Sequence, residues 1–328
     1  EKVDLGIGRF VCSTTENAKT MVDKSIAYLQ NQSSGSWKNR IVMIGDAPRI
    51  TDVGDKNAHM EDAERTANTI INASNNHLNI RRIYPDNYER VMTATGYRYP
   101  KATEVLTEEI KRGALMFNYS GHGSPSQISH SYIFETSDWD KVTSKALPLW
   151  VLASCEILPF DQEKNDFGRA ALFATQGGAV AFMCASRAVY ATENNVLNVA
   201  FCDALVKQNS DGSYNTFGDA LRIAKNKLIT TAQDRTINKL KYIIAGDPAL
   251  RLMQPTMRVI VDSINGTPLN LEDNHELKAG SIATFSGHID GENDFSGILT
   301  ATLYDKQEKI TCHNSGNVAD KAFEYSER

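Results

Sequence analysis

The 328-residue sequence predicts an α/β fold, a mainly parallel sheet flanked by helices, followed by a partial β-sandwich. Three observations predict it. Short continuous apolar runs such as Ile41-Val42-Met43-Ile44 and Leu149-Trp150-Val151-Leu152 read as strands buried on both faces. Between such runs lie stretches of helical periodicity, which is the alternation of a parallel sheet with crossover helices. After Met253-Gln254-Pro255-Thr256 the pattern changes to short strands separated by Gly, Asn and Asp turns.

The elements follow in order. Ala18, Met21, Val22, Ile26 and Leu29 recur at helical spacing over residues 15–30. Residues 40–46 form a buried strand ending in a loop, a polar stretch runs to His59, residues 60–75 are helical, and 80–84 are a short strand. Residues 102–112 are helical with Gly113 as a C-terminal cap. Strands are expected at 114–118, 149–153, 179–183 and 242–244, with helices at 167–175, 194–208 and 217–233. Beyond residue 254, strands are expected at 259–261, 282–285 and 299–303.

A chain of this length can bury a large core, and 41% hydrophobic with 23% charged residues is ordinary for a globular protein. The net charge of −5 gives no electrostatic reason to expect a nucleic-acid partner. No apolar run approaches the roughly 20 residues of a membrane span. The chain starts at Glu1 without a signal-peptide pattern, and both ends read as cuts in a longer chain.

Two phrases carry the chemistry. Asn118-Tyr119-Ser120-Gly121-His122-Gly123-Ser124 closes one apolar run, and Ala153-Ser154-Cys155-Glu156 closes another. Ligands in open α/β sheets bind beyond the carboxyl ends of strands. The two phrases therefore place an imidazole and a thiol at one sheet edge, as candidate acid/base and nucleophile. Glycines around His122 let the backbone approach a substrate closely. The amides of Gly123 and Cys155 can then form an oxyanion hole. Glu61 or Asp62, in the first turn of the 60–75 helix, is the candidate to orient the His122 ring.

The other titratable residues read differently. Cys12, Cys184 and Cys202 lie in apolar stretches and are expected as small buried hydrophobes. His130 in Ser129-His130-Ser131 is expected to be a solvated loop residue, and His59 an exposed residue at a helix start. Gly246-Asp247-Pro248 is a turn anchoring the sheet. No phosphate-binding loop and no metal-ligand spacing occurs in the sequence, and no cofactor is expected.

With those residues in hand, the chain resembles the gingipain-type cysteine peptidases, whose fold is caspase-like. The 118–124 phrase is similar to that family's histidine loop and Ala153-Ser154-Cys155 to its nucleophile loop; Leu5-Gly6-Ile7-Gly8-Arg9-Phe10 and Gly246-Asp247-Pro248 resemble further landmarks. Cys155-Glu156-Ile157-Leu158-Pro159-Phe160-Asp161 and residues 259–266 resemble one branch, the sortases of the type IX secretion system of Bacteroidota.

The resemblance implies an end of a preceding peptidase subdomain or its connection at 1–40, a catalytic domain at 41–253, and a truncated immunoglobulin-like β domain at 254–328. It implies Cys155 as nucleophile and His122 as catalytic histidine, while the acid does not transfer cleanly and Arg or Lys specificity is not inherited. It further implies an enzyme at the cell surface, associated with the outer membrane. There it would remove C-terminal sorting domains from cargo proteins and pass the cargo to a lipopolysaccharide amine, alongside other secretion components. Structural calcium occurs in such proteins, yet no acidic cluster here has an identifiable ligand spacing. Two other readings stay open, a catalytically silent cargo-binding scaffold and a simple surface protease.

Overall fold

In the computed structural model, which describes residues 2–49, 56–162, 165–255, 257–270, 276–291, 294, 296–297, 299, 301–304, 306–312 and 322–327, seven strands form one sheet. They are β1 (Gly8–Arg9), β2 (Arg40–Gly45), β3 (Asn79–Ile83), β4 (Met116–Ser120), β5 (Leu149–Ala153), β6 (Ala181–Ala185) and β7 (Tyr242–Ala245). Their spatial order is β1-β7-β6-β5-β4-β2-β3. Every neighbouring pair is parallel except β6 and β7. The expected mainly parallel sheet is thus present.

Among the described residues six α-helices cover the two faces: α1 (Thr15–Leu29), α2 (Ala58–Ala73), α3 (Pro100–Arg112), α4 (Phe167–Phe173), α5 (Ala191–Val206) and α6 (Phe217–Thr230). Side chains alternate across a strand, so each apolar run feeds both faces. Ile41, Met43, Val151 and Met183 pack with Ile70 of α2, Phe201 of α5 and Phe217 of α6. Val42, Ile44, Leu152 and Phe182 pack with Met21 of α1, Leu106 of α3 and Phe167 of α4. Phe117 and Trp150, neighbours on the second face, stack at 4.7 Å between ring centroids. Each fully buried side chain of this size contributes about 1.5–3 kcal/mol through removal from water.

Strands β4 and β6 begin two residues later than the apolar runs predict. Ala114, Leu115, Ala179 and Val180 are buried lead-ins, and the Leu115 and Val180 amides donate to Arg40 O and Pro148 O, off the regular ladder. An apolar run reports burial, and burial starts before pairing does. The shift carries the strand ends to Ser120 and Ala185, closer to the loops that matter.

The first compact unit comprises residues 1–253 and 304–328. Residues 1–40 are built into it: β1 lies beside β7, and the Val3 backbone donates to Asn226 Oδ1 of α6 at 2.7 Å and accepts from Asn226 Nδ2 at 2.8 Å. Gly246 donates to Arg9 O at 2.9 Å, so its turn does anchor the sheet.

The second unit, residues 254–303, holds an antiparallel sheet of β8 (Val259–Ile264), β9 (Thr267–Pro268) and β10 (Phe285–Ile289). Asn265 and Gly266 both take positive φ, 51° and 80°, as a two-residue hairpin turn requires. The strand expected at 282–285 starts only at Phe285. Of that expected at 299–303, Thr300 lies outside the described residues and the others form no strand. A further hairpin, β11 (Glu308–Thr311) with β12 (Glu324–Glu327), belongs to the first unit.

Candidate active site

Strand register brings the two phrases together. In the parallel β4–β5 pair Ser120 lies opposite Ala153, and the Gly121 amide extends the ladder to Ala153 O at 3.4 Å. His122 and Cys155 each follow two residues beyond that last pair, at the carboxyl ends of strands about 4.8 Å apart.

The loops themselves touch. A Cβ on Gly123 would lie 2.3 Å from Ser154 Oγ, 2.8 Å from Ile157 Cδ1 and 3.3 Å from Cys155 O. Any side chain there would have to displace Ser154 Oγ and Ile157 Cδ1.

Cys155 is half-buried, its Sγ donating to Val189 O at 3.4 Å and accepting from the Val189 amide at 3.5 Å. Glu156 then takes φ 45°, a left-handed conformation uncommon for a residue with a side chain, and its amide donates to Arg187 O at 3.3 Å. The nucleophile candidate thus sits on a sharp elbow held against the loop that follows β6.

His122 is fixed from below by a residue the sequence reading passed over. Asp46, first beyond β2 and 3% exposed, accepts the His122 amide at 3.2 Å and the Ala47 amide at 2.9 Å. The Tyr119 hydroxyl lies 3.0 Å from Asp46 Oδ2 and 2.6 Å from His122 O, its single proton serving one at a time. The Ser129 amide also donates to His122 O, at 2.8 Å. Asp46 had one available signal: an acid directly after a buried strand adjacent to the one that ends in the histidine loop.

Two further imidazoles flank the His122 ring. His59 meets it edge to face, with centroids 4.9 Å apart, and His130 lies at 4.2 Å. His59 was expected to be exposed; it is only 7% exposed. Its burial follows from Gly45, where a Cβ would lie 3.0 Å from His59 O and 2.8 Å from Met60 Cα, so that the first turn of α2 is pressed onto the end of β2. His130 is exposed as expected, yet it packs on the candidate catalytic ring.

Of the two candidate acids, Glu61 is exposed. Asp62 is half-buried and accepts from Arg65 Nη1 at 2.9 Å. Burial raises the pKa of Asp62, against the opposing pull of Arg65 and His59.

Cys184 and Cys202 are fully buried as expected, and burial drives both thiols far above the ordinary cysteine range. Cys312 is buried too, with its thiol pushed up to about 12. Cys12 departs from expectation: it is half-buried near the sheet edge, its Sγ 3.8 Å from Phe10 O. Behind β4, Asn118 and Asn198 of α5 exchange side-chain amide hydrogen bonds of 2.8 and 2.9 Å, fully buried. Among the described residues no group of three or more His, Cys, Asp or Glu is arranged to hold a metal ion, and no helix is long and apolar enough to cross a membrane. A cleft of about 510 Å³, lined by Ser126, Glu135, Asp140 and Phe173 among others, is not bordered by Cys155 or His122.

Residues 1–253 match the sequence pattern of peptidase family C25. The chain belongs to peptidase family C25. Its fold is similar to the crystal structure of the Arg-specific cysteine proteinase gingipain R (RgpB), with 19% identity, a TM-score of 0.59, and coverage of 78% of this chain and 58% of that one. It is similar as well to the complex of Porphyromonas gingivalis RgpB pro- and mature domains, with 20% identity, a TM-score of 0.59 and coverage of 78% and 59%. A third structure, described as that of a protease, gives 17%, 0.58, 75% and 55%. This C25 chain therefore spans less than two thirds of the length of these relatives. A search of curated proteins finds no match.

Proposed function

We propose that the chain is a cysteine endopeptidase and transpeptidase, a secretion sortase of the PorU type, with Cys155 as nucleophile and His122 as general acid and base. The observation that carries the chemistry is the Ser120–Ala153 register, which sets both residues two positions past one ladder pair. A thiol beside an imidazole is readily made thiolate.

In the first step the Cys155 thiol gives its proton to His122 and Sγ attacks the scissile carbonyl. The amides of Gly123 and Cys155 receive the oxyanion charge. The C–N bond breaks as His122 returns its proton to the departing amine, leaving cargo as a thioester on Cys155 and releasing the sorting domain. In the second step an incoming amine or water loses its proton to His122, and the C–S bond breaks. Of Asp62 and Glu61, Asp62 is better placed to influence this relay, one turn along α2 from His59, whose ring abuts His122.

The sortase part of the proposal, with type IX cargo, a lipopolysaccharide amine as acceptor and a place at the outer membrane, rests on the resemblance of the 155–161 and 259–266 phrases. Its test is the product mass of a cargo peptide with and without an added amine. A product heavier by the acceptor supports transfer, and hydrolysed product alone makes the chain a simple protease. Cys155→Ala should abolish both products. If that variant processed cargo at the normal rate, the site assignment would fail and a cargo-binding scaffold would replace it.

A further inference from the structure

The β11–β12 hairpin comes late in the chain, after the second unit, yet it packs behind the histidine side of the site. Tyr84, just past β3, is the hinge of that packing. Its ring is fully buried and meets Phe323 edge to face at 5.4 Å and Tyr325 at 4.8 Å. Met60 and Ala63 of α2 belong to the same cluster. The Tyr84 hydroxyl donates to Glu64 Oε1 at 2.5 Å, and Arg82 Nε donates to the same oxygen at 2.6 Å.

On its other flank Tyr84 reaches the site. A Cβ on Gly45 would lie 3.1 Å from Tyr84 Cε1 and 3.0 Å from His59 O, so the ring, the end of β2 and the first turn of α2 meet at one point. The next residue, Asp46, holds the His122 amide, and the His59 ring abuts that of His122. Both supports of His122 thus converge on Gly45 and Tyr84.

The hairpin is fastened where it presses. Glu327 pairs with Arg81 and accepts the Arg82 amide at 3.2 Å. Asn87 Nδ2 donates to the Tyr325 hydroxyl at 3.3 Å, while within the hairpin the Cys312 amide donates to Phe323 O at 2.7 Å.

We propose that Phe323 and Tyr325 are positioning residues for the reaction: through Tyr84 they hold Gly45-Asp46 and His59, and thereby set the His122 ring against Cys155. The turnover readout rests on the peptidase reading above, whereas thiol alkylation does not. Neither residue lies among the groups assigned to substrate or to the reacting atoms, so removing them should alter turnover rather than affinity.

The experiment uses the full chain carrying Phe323→Ala with Tyr325→Ala, assayed below its melting temperature. A small displacement of a reacting group costs up to about a hundredfold, so kcat should fall about tenfold or more with KM within about twofold. The pH midpoint for Cys155 alkylation by iodoacetamide, read by peptide mass, should rise as His122 loses its place. Tyr325→Phe, which keeps the ring, should stay near wild type. If the double variant does not fold, Tyr325→Leu alone should still lower kcat severalfold and move the midpoint. Unchanged kcat and midpoint in a folded variant would overturn the proposal, as would a rise in KM at constant kcat. Should the wild type cleave no peptide, the alkylation midpoint alone decides.

Discussion

Replacing Gly121 with alanine would place a methyl group where the histidine loop has no room. The added Cβ would lie 2.2 Å from the Tyr119 hydroxyl, 2.5 Å from Tyr119 Cζ and 2.5 Å from Asp46 Cβ. Gly121 is not among the residues with positive φ, so alanine meets no backbone penalty and the cost is steric. Relief requires Tyr119 and Asp46 to part, which weakens the hydroxyl contacts at 3.0 and 2.6 Å and the His122 amide bond at 3.2 Å.

Overpacking a buried site costs about 1–3 kcal/mol, and a hydrogen bond to a charged group contributes about 1.5–3 kcal/mol. A net loss of about 3 kcal/mol in urea unfolding is expected, with a fall in kcat of about a hundredfold if His122 moves by about 1 Å. Tyr119→Phe alone removes the hydroxyl without the clash, so it should cost less in both assays. Combining the two changes should recover only part of the loss, since ring carbon and Asp46 Cβ still oppose the methyl. Wild-type stability and turnover in Gly121→Ala would refute the reasoning, because no neighbour can yield cheaply.

Three other outcomes are expected. Gly123→Ala should lower kcat while sparing most of the stability, because its methyl strikes Ser154 Oγ and the movable end of Ile157; adding Ser154→Ala should restore part of the rate, and no restoration would contradict the contact. Lys24, buried in α1 with its amine donating to Ala171 O at 2.8 Å, is drawn down by burial to about 7. The unfolded state then binds more protons between about pH 7 and its ordinary value near 10.4, so stability should rise with pH across that window. Lys225, drawn down by burial to about 8, contributes to the same rise, so Lys24→Met should show a shallower rise than wild type, and equal pH dependence of urea stability in the two proteins would exclude the Lys24 share. Asn198→Leu removes the donor to Asn118 Oδ1 and leaves Asn118 Nδ2 with Cys202 Sγ; it should cost about 1–3 kcal/mol, much of it regained in Asn118→Leu with Asn198→Leu, a double-mutant cycle read by thermal melting.

The placement of His122 and Cys155 at neighbouring strand ends was legible because both residues close continuous apolar runs, and such runs in an α/β chain become neighbouring parallel strands. Chemistry at strand ends therefore needs only local pattern. His59 was not legible. It follows a polar loop, and what buries it is a glycine on another strand and a ring that comes much later in the chain. Asp46 was missed for a related reason: a carboxylate after a strand looks like any loop acid until the Tyr119 hydroxyl is seen above it. The return of residues 304–328 to the first unit could not be read at all. Its apolar residues are few, and their partner Tyr84 had already been placed at the end of a short strand.

The β4–β5 register has a consequence for errors in folding. Strand period is two, so a slip by one residue would turn Phe117 and Tyr119 to the opposite face and break the stacked Phe117–Trp150 pair. The same slip would pull His122 away from Cys155. Folded but misaligned forms therefore carry a large packing penalty, and molecules that reach the native core have the histidine and cysteine loops at adjacent strand ends.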